Sequence, residues 1–391
     1  MARFLSASIA AVAAASLVAC SEAPDVTTPN LAPRLTVSDN AQVVPGRFII
    51  TVRDDVNPRA VAADHGVTPD FVYAHALNGF AGSMSDAARD GLLRDARVSR
   101  VEPDGIAEAW TTQSNATWGL DRIDQRALPV SGTYSYTNTG SGVTAYIIDT
   151  GIDIGNSDLG GRASVGYDAI GDGRNGIDCN GHGTHVSGTT GGTTWGVAKS
   201  VGLVAVRVLN CSGSGTWSGV IAGLDYVTGN TARRPAVGNM SLGGGASASV
   251  DEAVQRTNAS GVAMAVAAGN GNQGGRAQDA CKYSPARVPE AMTIGATDKT
   301  DTKTSWSNYG DCVDWFAPGL GVTSDWLNGT TNTISGTSMA TPHTTGVAAL
   351  YLQSHPGDSP ATVRNALYNN TTQGIVKNSK TVNNHLLFTN Y

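Results

Sequence analysis

The stretch Val143-Thr144-Ala145-Tyr146-Ile147-Ile148-Asp149 decides the fold. Its residues are apolar, aromatic or β-branched on both alternate sets of positions, which marks a strand buried on both faces. It ends on an acid. Residues 202–208, 237–242 and 262–267 form three more strands of the same kind, and 218–227 and 250–259 are helical between them. Strands alternating with helices predict an α/β fold, a mainly parallel sheet covered on both faces. Such sheets carry their chemistry in loops at the carboxyl ends of strands. Asp149, Ser241 and Asn270 all fall at or just after such ends.

Further along, Gly336-Thr337-Ser338-Met339-Ala340-Thr341-Pro342-His343 sets a serine at the head of a helix of small and apolar residues. The start of a buried helix offers free N–H groups and a partial positive charge, which suits an oxyanion. A serine hydroxyl at neutral pH still needs a base, and the base needs an acid to orient it. Asn180-Gly181-His182-Gly183-Thr184-His185 supplies a histidine and Asp149-Thr150-Gly151 the acid. Each segment has a plainer reading as turn, cap or helix residue. His182, His185 and His343 are also a conceivable metal set, but no His-Glu-x-x-His occurs. An α/β-hydrolase elbow requires Gly-x-Ser-x-Gly, and position 340 is alanine.

The 391 residues include 48 glycines and only 15% charged residues, with a net charge of −6. That balance, without a basic block, excludes nucleic acid as a partner. Residues 1–20 read as a signal peptide, with Arg3 before an apolar stretch too short to span a membrane. It ends Leu17-Val18-Ala19-Cys20, which resembles a bacterial lipobox in which Cys20 is lipidated. Either form of cleavage implies export. Residues 21–44, rich in Pro, Thr and Ser, read as a flexible linker. Cys179, Cys211, Cys281 and Cys312 remain, and in an exported protein they predict two disulfides with three possible connectivities. The locally closed one, Cys179–Cys211 with Cys281–Cys312, would contribute about 3–4 kcal/mol per loop in the chain-entropy model.

Residues 45–110 carry the pattern β-α-β-β-α-β, with strands at 48–52 and 98–102, helices at 58–65 and 86–96, and two short extended runs within 67–81. That order suits a small α+β, ferredoxin-like domain. Residues 111–115 read as an exposed junction, and 111–391 as the second domain.

The Asp149, His182 and Ser338 segments together resemble the subtilisin-like serine proteases, most closely the proteinase K branch and its aqualysin-type bacterial members. Trp118-Gly119-Leu120-Asp121-Arg122-Ile123 is similar to that branch's mature N-terminal region. The resemblance implies a three-layer subtilisin-like domain, a secreted serine endopeptidase, and residues 45–110 as an inhibitory propeptide removed by self-cleavage near Trp110. It assigns Asp149, His182 and Ser338 as the triad and Asn270 as the oxyanion-hole amide. Ser241-Leu242-Gly243-Gly244-Gly245 and Ala267-Ala268-Gly269 match its substrate-binding strands, and its disulfides support the local pairing. It further implies structural calcium at the carbonyls of Pro289 and Ala291 with Asp314, and at a second site of Asp121, Asp124 and Gln125. Asp172 and Asp178 are a weaker acidic pair. Its partners would be protein and peptide substrates and its own propeptide, with a lipid-anchored precursor and a monomeric mature form.

Overall fold

Strand-forming residues with two buried faces build one large sheet, and half-buried alternating strands build a second, smaller one. The computed structural model describes residues 43–105 and 111–391, in two units, Met1–Ala107 and Glu108–Tyr391. Cys20 and Trp110 therefore lie outside the described residues, and so does the expected cleavage point.

In the first unit the order is β1 (Val43–Val52), α1 (Pro58–Asp64), β2 (Phe71–Tyr73), β3 (Gly79–Ser83), α2 (Asp86–Leu92) and β4 (Val98–Gly105). The sheet runs β2-β3-β1-β4 with every pair antiparallel. Phe48, Ile50, Val61, Phe80, Leu92 and Val101 fill its core. Side chains of Asn57 and Ser85 cap the two helices. Helix α2 stops four residues short of the expected end: after Leu92 the backbone tightens into turns, Arg94 N to Gly91 O and Asp95 N to Leu92 O, that lead into β4.

The second unit begins with β5 (Thr111–Ser114), α3 (Trp118–Ile123), β6 (Thr133–Tyr136) and β7 (Thr144–Asp149). The expected junction at 111–115 is thus a strand; its side chains are mostly exposed, but its backbone is held by β6, with Thr111 opposite Tyr136. Next come β8 (Ala163–Asp168), α4 (His182–Gly191), β9 (Gly202–Arg207), α5 (Trp217–Gly229) and β10 (Ala236–Met240). They are followed by β11 (Gly244–Gly245), α6 (Ala248–Ala259), β12 (Val262–Ala267), β13 (Tyr283–Ser284) and β14 (Met292–Thr297). The chain closes with β15 (Trp315–Pro318), β16 (Val322–Asp325), β17 (Thr331–Ile334), α7 (Thr337–Ser354) and α8 (Pro360–Asn370).

Seven of these strands form a wholly parallel sheet in the order β15-β14-β12-β10-β7-β9-β8. Alternation along β7 divides the core. Ala145 and Ile147 face a layer with Val186 of α4 and Val347 of α7, whereas Tyr146 and Ile148 face Leu224 of α5 and Val254 of α6. Both disulfides join as the local pairs, Cys179–Cys211 and Cys281–Cys312.

Helices α5, α6 and α8 are capped by the side chains of Thr216, Ser247 and Ser359. Helices α4 and α7 instead start after Gly181 and Gly336, with no side-chain cap from those residues. The same two helices approach closely: a Cβ on Gly346 would stand 2.5 Å from Val197 Cβ and 3.0 Å from the Thr190 carbonyl of α4. Gly346→Val forces them apart. It is expected to destabilise the domain by about 1–3 kcal/mol, read as a lowered denaturant midpoint.

Candidate active site

Asp149 is the last residue of β7 and fully buried. Its Oδ1 accepts the Thr150 N–H at 2.7 Å and lies 2.8 Å from His182 Nδ1. A carboxylate only accepts, so Nδ1 carries the proton and Nε2 is left as the basic nitrogen. Oδ2 of Asp149 is buried with no hydrogen-bond partner among the described residues. Burial alone pulls the His182 imidazole down, but the facing Asp149 outweighs it, with a smaller push from Asp178, and holds the ring above its ordinary value.

The N-terminus of α4 is fixed by one carboxylate. Asp178 Oδ1 accepts from Thr150 Oγ1, Asn180 N and Gly181 N at 2.9, 2.9 and 3.0 Å. Its Oδ2 accepts from Thr184 N and Thr184 Oγ1 at 2.9 and 2.6 Å. Thr150 Oγ1 in turn accepts the Gly183 N–H at 2.8 Å, so the residue after Asp149 is tied to the residue after His182. Gly181 has φ 104°, and the Trp326 ring fills the space where its Cβ would be, at 2.3 Å.

Ser338 occupies the first turn of α7 and is linked to Ser241 in both directions. Its Oγ donates to the Ser241 carbonyl at 3.0 Å, and Ser241 Oγ donates to the Ser338 carbonyl at 2.8 Å. Pro342 explains the second bond. Proline has no N–H for the carbonyl four residues back, so the Ser338 oxygen is open to a side-chain donor.

Asn270 follows β12. Its Oδ1 accepts from Thr337 N at 2.8 Å and Thr337 Oγ1 at 2.9 Å, which sets the amide with Nδ2 on the other side. A Cβ on Gly336 would lie 3.4 Å from Asn270 Nδ2 and 3.5 Å from Ser338 N. Two N–H donors therefore converge on a small volume beside Ser338 that glycine keeps open. Of the other expected site residues, Gly244 and Gly245 pair through β11 with Tyr283 and Ser284 of β13. The Trp217 ring stands 2.8 Å from where a Gly244 Cβ would be. Gly243 and Leu242 lead into that ladder. Ala267 and Ala268 are buried, and Gly269, at φ 101°, donates to Thr337 Oγ1 at 3.1 Å.

The subtilase family signature matches residues 140–387. An extracellular serine proteinase of Thermus sp. (strain Rt41A) is 48% identical over 95% of both chains. An alkaline serine protease, ver112, of Corniculantispora psalliotae is 42% identical over 92% of this chain and 94% of its own. A crystal structure of a cold-adapted subtilisin-like serine proteinase superposes with a TM-score of 0.68 at 52% identity, covering 70% of this chain and 98% of that one.

The chain belongs to the subtilase family.

It is a subtilisin-like serine endopeptidase in an α/β fold. Several polar residues of this subtilase were hard to place from sequence. Arg207, fully buried on β9 opposite Asp149, donates to Thr150 O at 3.2 Å, to Asp168 at 3.0 Å, and to both oxygens of Asp172 at 2.6 and 2.8 Å. Asp172 and Asp178 are thus occupied by a guanidinium and by N–H and O–H donors rather than left open for a metal. The only advance signal was a lone arginine in an otherwise apolar strand. His185 and His343 do not join a metal set. Their rings bond the Val322 and Met339 carbonyls at 3.0 and 2.9 Å, and burial pushes both down to about 4.

Subtilases commonly bind structural calcium, and the two expected sites fit it unequally. Asp314 Oδ2 accepts from Thr293 N at 2.7 Å and Oδ1 pairs with the Arg364 guanidinium, so a cation already faces it. Asp124 differs: Oδ2 accepts from Ser135 N at 2.7 Å, but Oδ1 is buried with no hydrogen-bond partner among the described residues. Burial, reinforced by neighbouring Asp121, pushes Asp124 up to about 6. Asp121 is bonded to Ser131 and Gly132 N–H groups at 2.8 and 2.5 Å, and Gln125 Nε2 donates to the Ala127 and Pro129 carbonyls. An orphaned buried carboxylate oxygen is what a hard cation satisfies.

In an NMR titration, His182 is expected to protonate at a pH above the ordinary imidazole value of about 6.5, whereas His185 and His343 stay neutral until near 4. Asp149→Asn should bring the His182 midpoint down, because the group that holds it up is removed and burial then dominates.

Proposed function

We propose that this subtilase is an exported, self-processing endopeptidase that cleaves peptide bonds through Asp149, His182 and Ser338. The observation that carries the reading is the convergence of Asn270 Nδ2 and Ser338 N beside the Ser338 hydroxyl. Turning Ser338 Oγ from the Ser241 carbonyl toward His182 Nε2 readies it for attack. His182 takes the proton as Oγ bonds the peptide carbon, and Asp149 stabilises the imidazolium. The carbonyl oxygen becomes an oxyanion in the space above Gly336, where each donor contributes about 3–4 kcal/mol, the range measured in subtilisin itself. His182 then returns the proton to the leaving amine, and water hydrolyses the acyl-enzyme by the same steps. The substrate backbone lies along Ser241 to Gly245 as an added strand, with Ala267 to Gly269 walling the neighbouring side-chain pocket.

Calcium would be held by Asp124 with Asp121 and Gln125, and by Asp314 with the Pro289 and Ala291 carbonyls where Arg364 yields. It supplies positive charge and rigidity, not a catalytic step. Chelation should lower the thermal midpoint by several degrees, at about 2–4 °C per kcal/mol of lost binding energy. Asp124→Asn should remove more of that calcium response than Asp314→Asn, measured by calorimetry with the serine blocked.

Residues 45–110 act as the propeptide, and cutting near Thr111 releases the catalytic domain. The relatives named extracellular support export. The lipobox-like Cys20 makes the precursor a tethered zymogen, so processing also frees the protease from the membrane. Expression of Ser338→Ala should give an uncut precursor in the membrane fraction, beside a soluble, N-terminally trimmed wild type read by intact mass. An inactive precursor found soluble would rule out the tether, and normal trimming of Ser338→Ala would rule out self-processing.

A further inference from the structure

The chain has only six lysines, and four of them, Lys299, Lys303, Lys377 and Lys380, fall in two short segments. The fold brings those segments together. Thr302 bridges to Lys377, and Lys303 N donates to the Lys377 carbonyl at 3.0 Å. At the junction lies a cavity of about 540 Å³ lined by Lys303, Lys380, Asp298, Trp306, Leu320 and neighbouring polar residues. None of the catalytic or substrate-strand residues lines it.

Its charge is unbalanced. Among the described residues no ion pair involves any lysine. Lys303, only 6% exposed, has its ammonium bonded to the Thr304 and Ser307 carbonyls at 2.8 and 2.9 Å, which solvate the charge without neutralising it. Lys380 stands close enough to repel it, and both ammonium groups rest near the Tyr309 ring, 6.0 and 5.6 Å from its centre. The acids nearby are already engaged. Asp298 Oδ1 accepts from Thr300 N, Thr300 Oγ1 and Thr302 N at 2.8, 2.7 and 3.1 Å, and Asp301 pairs with Arg122 at 2.7 Å. Lys377 donates to the Thr300 carbonyl at 3.3 Å. Although partly buried, Asp298 keeps its charge and is held down partly by Lys377, which leaves Lys303 and Lys380 as the cations without a facing acid, in a protein of net charge −6. Opposite them, Trp306 packs one side against the core and stays half-buried, and Leu320 is 42% exposed, so the wall keeps apolar surface open to the cavity.

We propose that this cavity binds a small amphipathic carboxylate, with its anionic end on Lys303 and Lys380 and its apolar body against Trp306 and Leu320. A carboxylate gives the two ammonium groups the counter-charge they lack and removes their mutual repulsion. The apolar body covers the exposed wall. Two sources share this chemistry: the C-terminal residue of a cleaved peptide and a free aliphatic acid. Binding at this cavity is independent of turnover.

The test is titration calorimetry on the full chain carrying Ser338→Ala, so that a failure of the cavity and a failure of the peptidase reading are separate results. N-acetyl-phenylalanine should bind about tenfold or more tightly than its neutral amide, which keeps the shape and loses the charge. Lys380→Gln, on the surface, should weaken it about fivefold or more, and Lys303→Met further where that variant folds. Affinity should fall between pH 7 and 9, since burial and Lys380 pull Lys303 down to about 8 and the neutral amine no longer attracts an anion. Octanoate binding with the same lysine dependence assigns the site to aliphatic acids as well; its failure beside a positive N-acetyl-phenylalanine result assigns it to peptide ends. Equal binding of acid and amide, or unchanged affinity in Lys380→Gln, overturns the proposal.

Discussion

Two helices, α4 and α7, start on a glycine that offers no side-chain cap, and much of the local structure follows from how their first N–H groups are satisfied. Helix α4 presents His182 and α7 presents Ser338 in their first turns. A side-chain cap at Gly336 would fill the space that Asn270 Nδ2 and Ser338 N enclose. Helix α7 therefore begins on glycine, α4 begins on Gly181 because the Trp326 ring fills the space of a Cβ there, and the orphan donors of both are met from elsewhere. Asp178 serves α4, and the Asn270 carbonyl oxygen serves Thr337 while aiming its amide nitrogen outward.

The parallel sheet makes this arrangement affordable in conformational terms. Asp149, Ser241 and Asn270 sit at the carboxyl ends of adjacent strands β7, β10 and β12, so the sheet spacing sets their separations before any loop is considered. Helix α7 lies across the same layer, and Gly346 lets it approach α4. Polar bonds then refine the positions. The reciprocal pair between Ser241 and Ser338, made possible by Pro342, ties the end of β10 to the start of α7.

What was legible in the sequence was what is local. Buried strands showed as unbroken apolar runs, and the acid, histidine and serine segments carried enough flanking residues to be read as one constellation. Position in space was not legible. Residues 111–115 look polar and exposed, yet their backbone is a strand, because pairing with β6 is a long-range choice that composition does not record. Asp172 and Asp178 looked like spare acids until Arg207 and the start of α4 were folded against them. The four clustered lysines come from two distant segments, 299–303 and 377–380, which become neighbours only through the backbone pairing of 301–303 with Lys377. Likewise, Asp124 and Asp314 read alike as acids, and they part company only through Arg364, which folding delivers to one of them.

The Cys179–Cys211 bond sits immediately beside Asp178, and the buried Arg207 guanidinium touches both sulfurs, at 3.4 and 3.9 Å. The loop that caps the histidine helix is thus closed by a bond that the reducing interior of a cell does not sustain. In a reducing compartment the same loop would lack the covalent clasp that closes it beside His182. The redox state of the compartment is thereby coupled to how firmly the chain around the start of α4 is held.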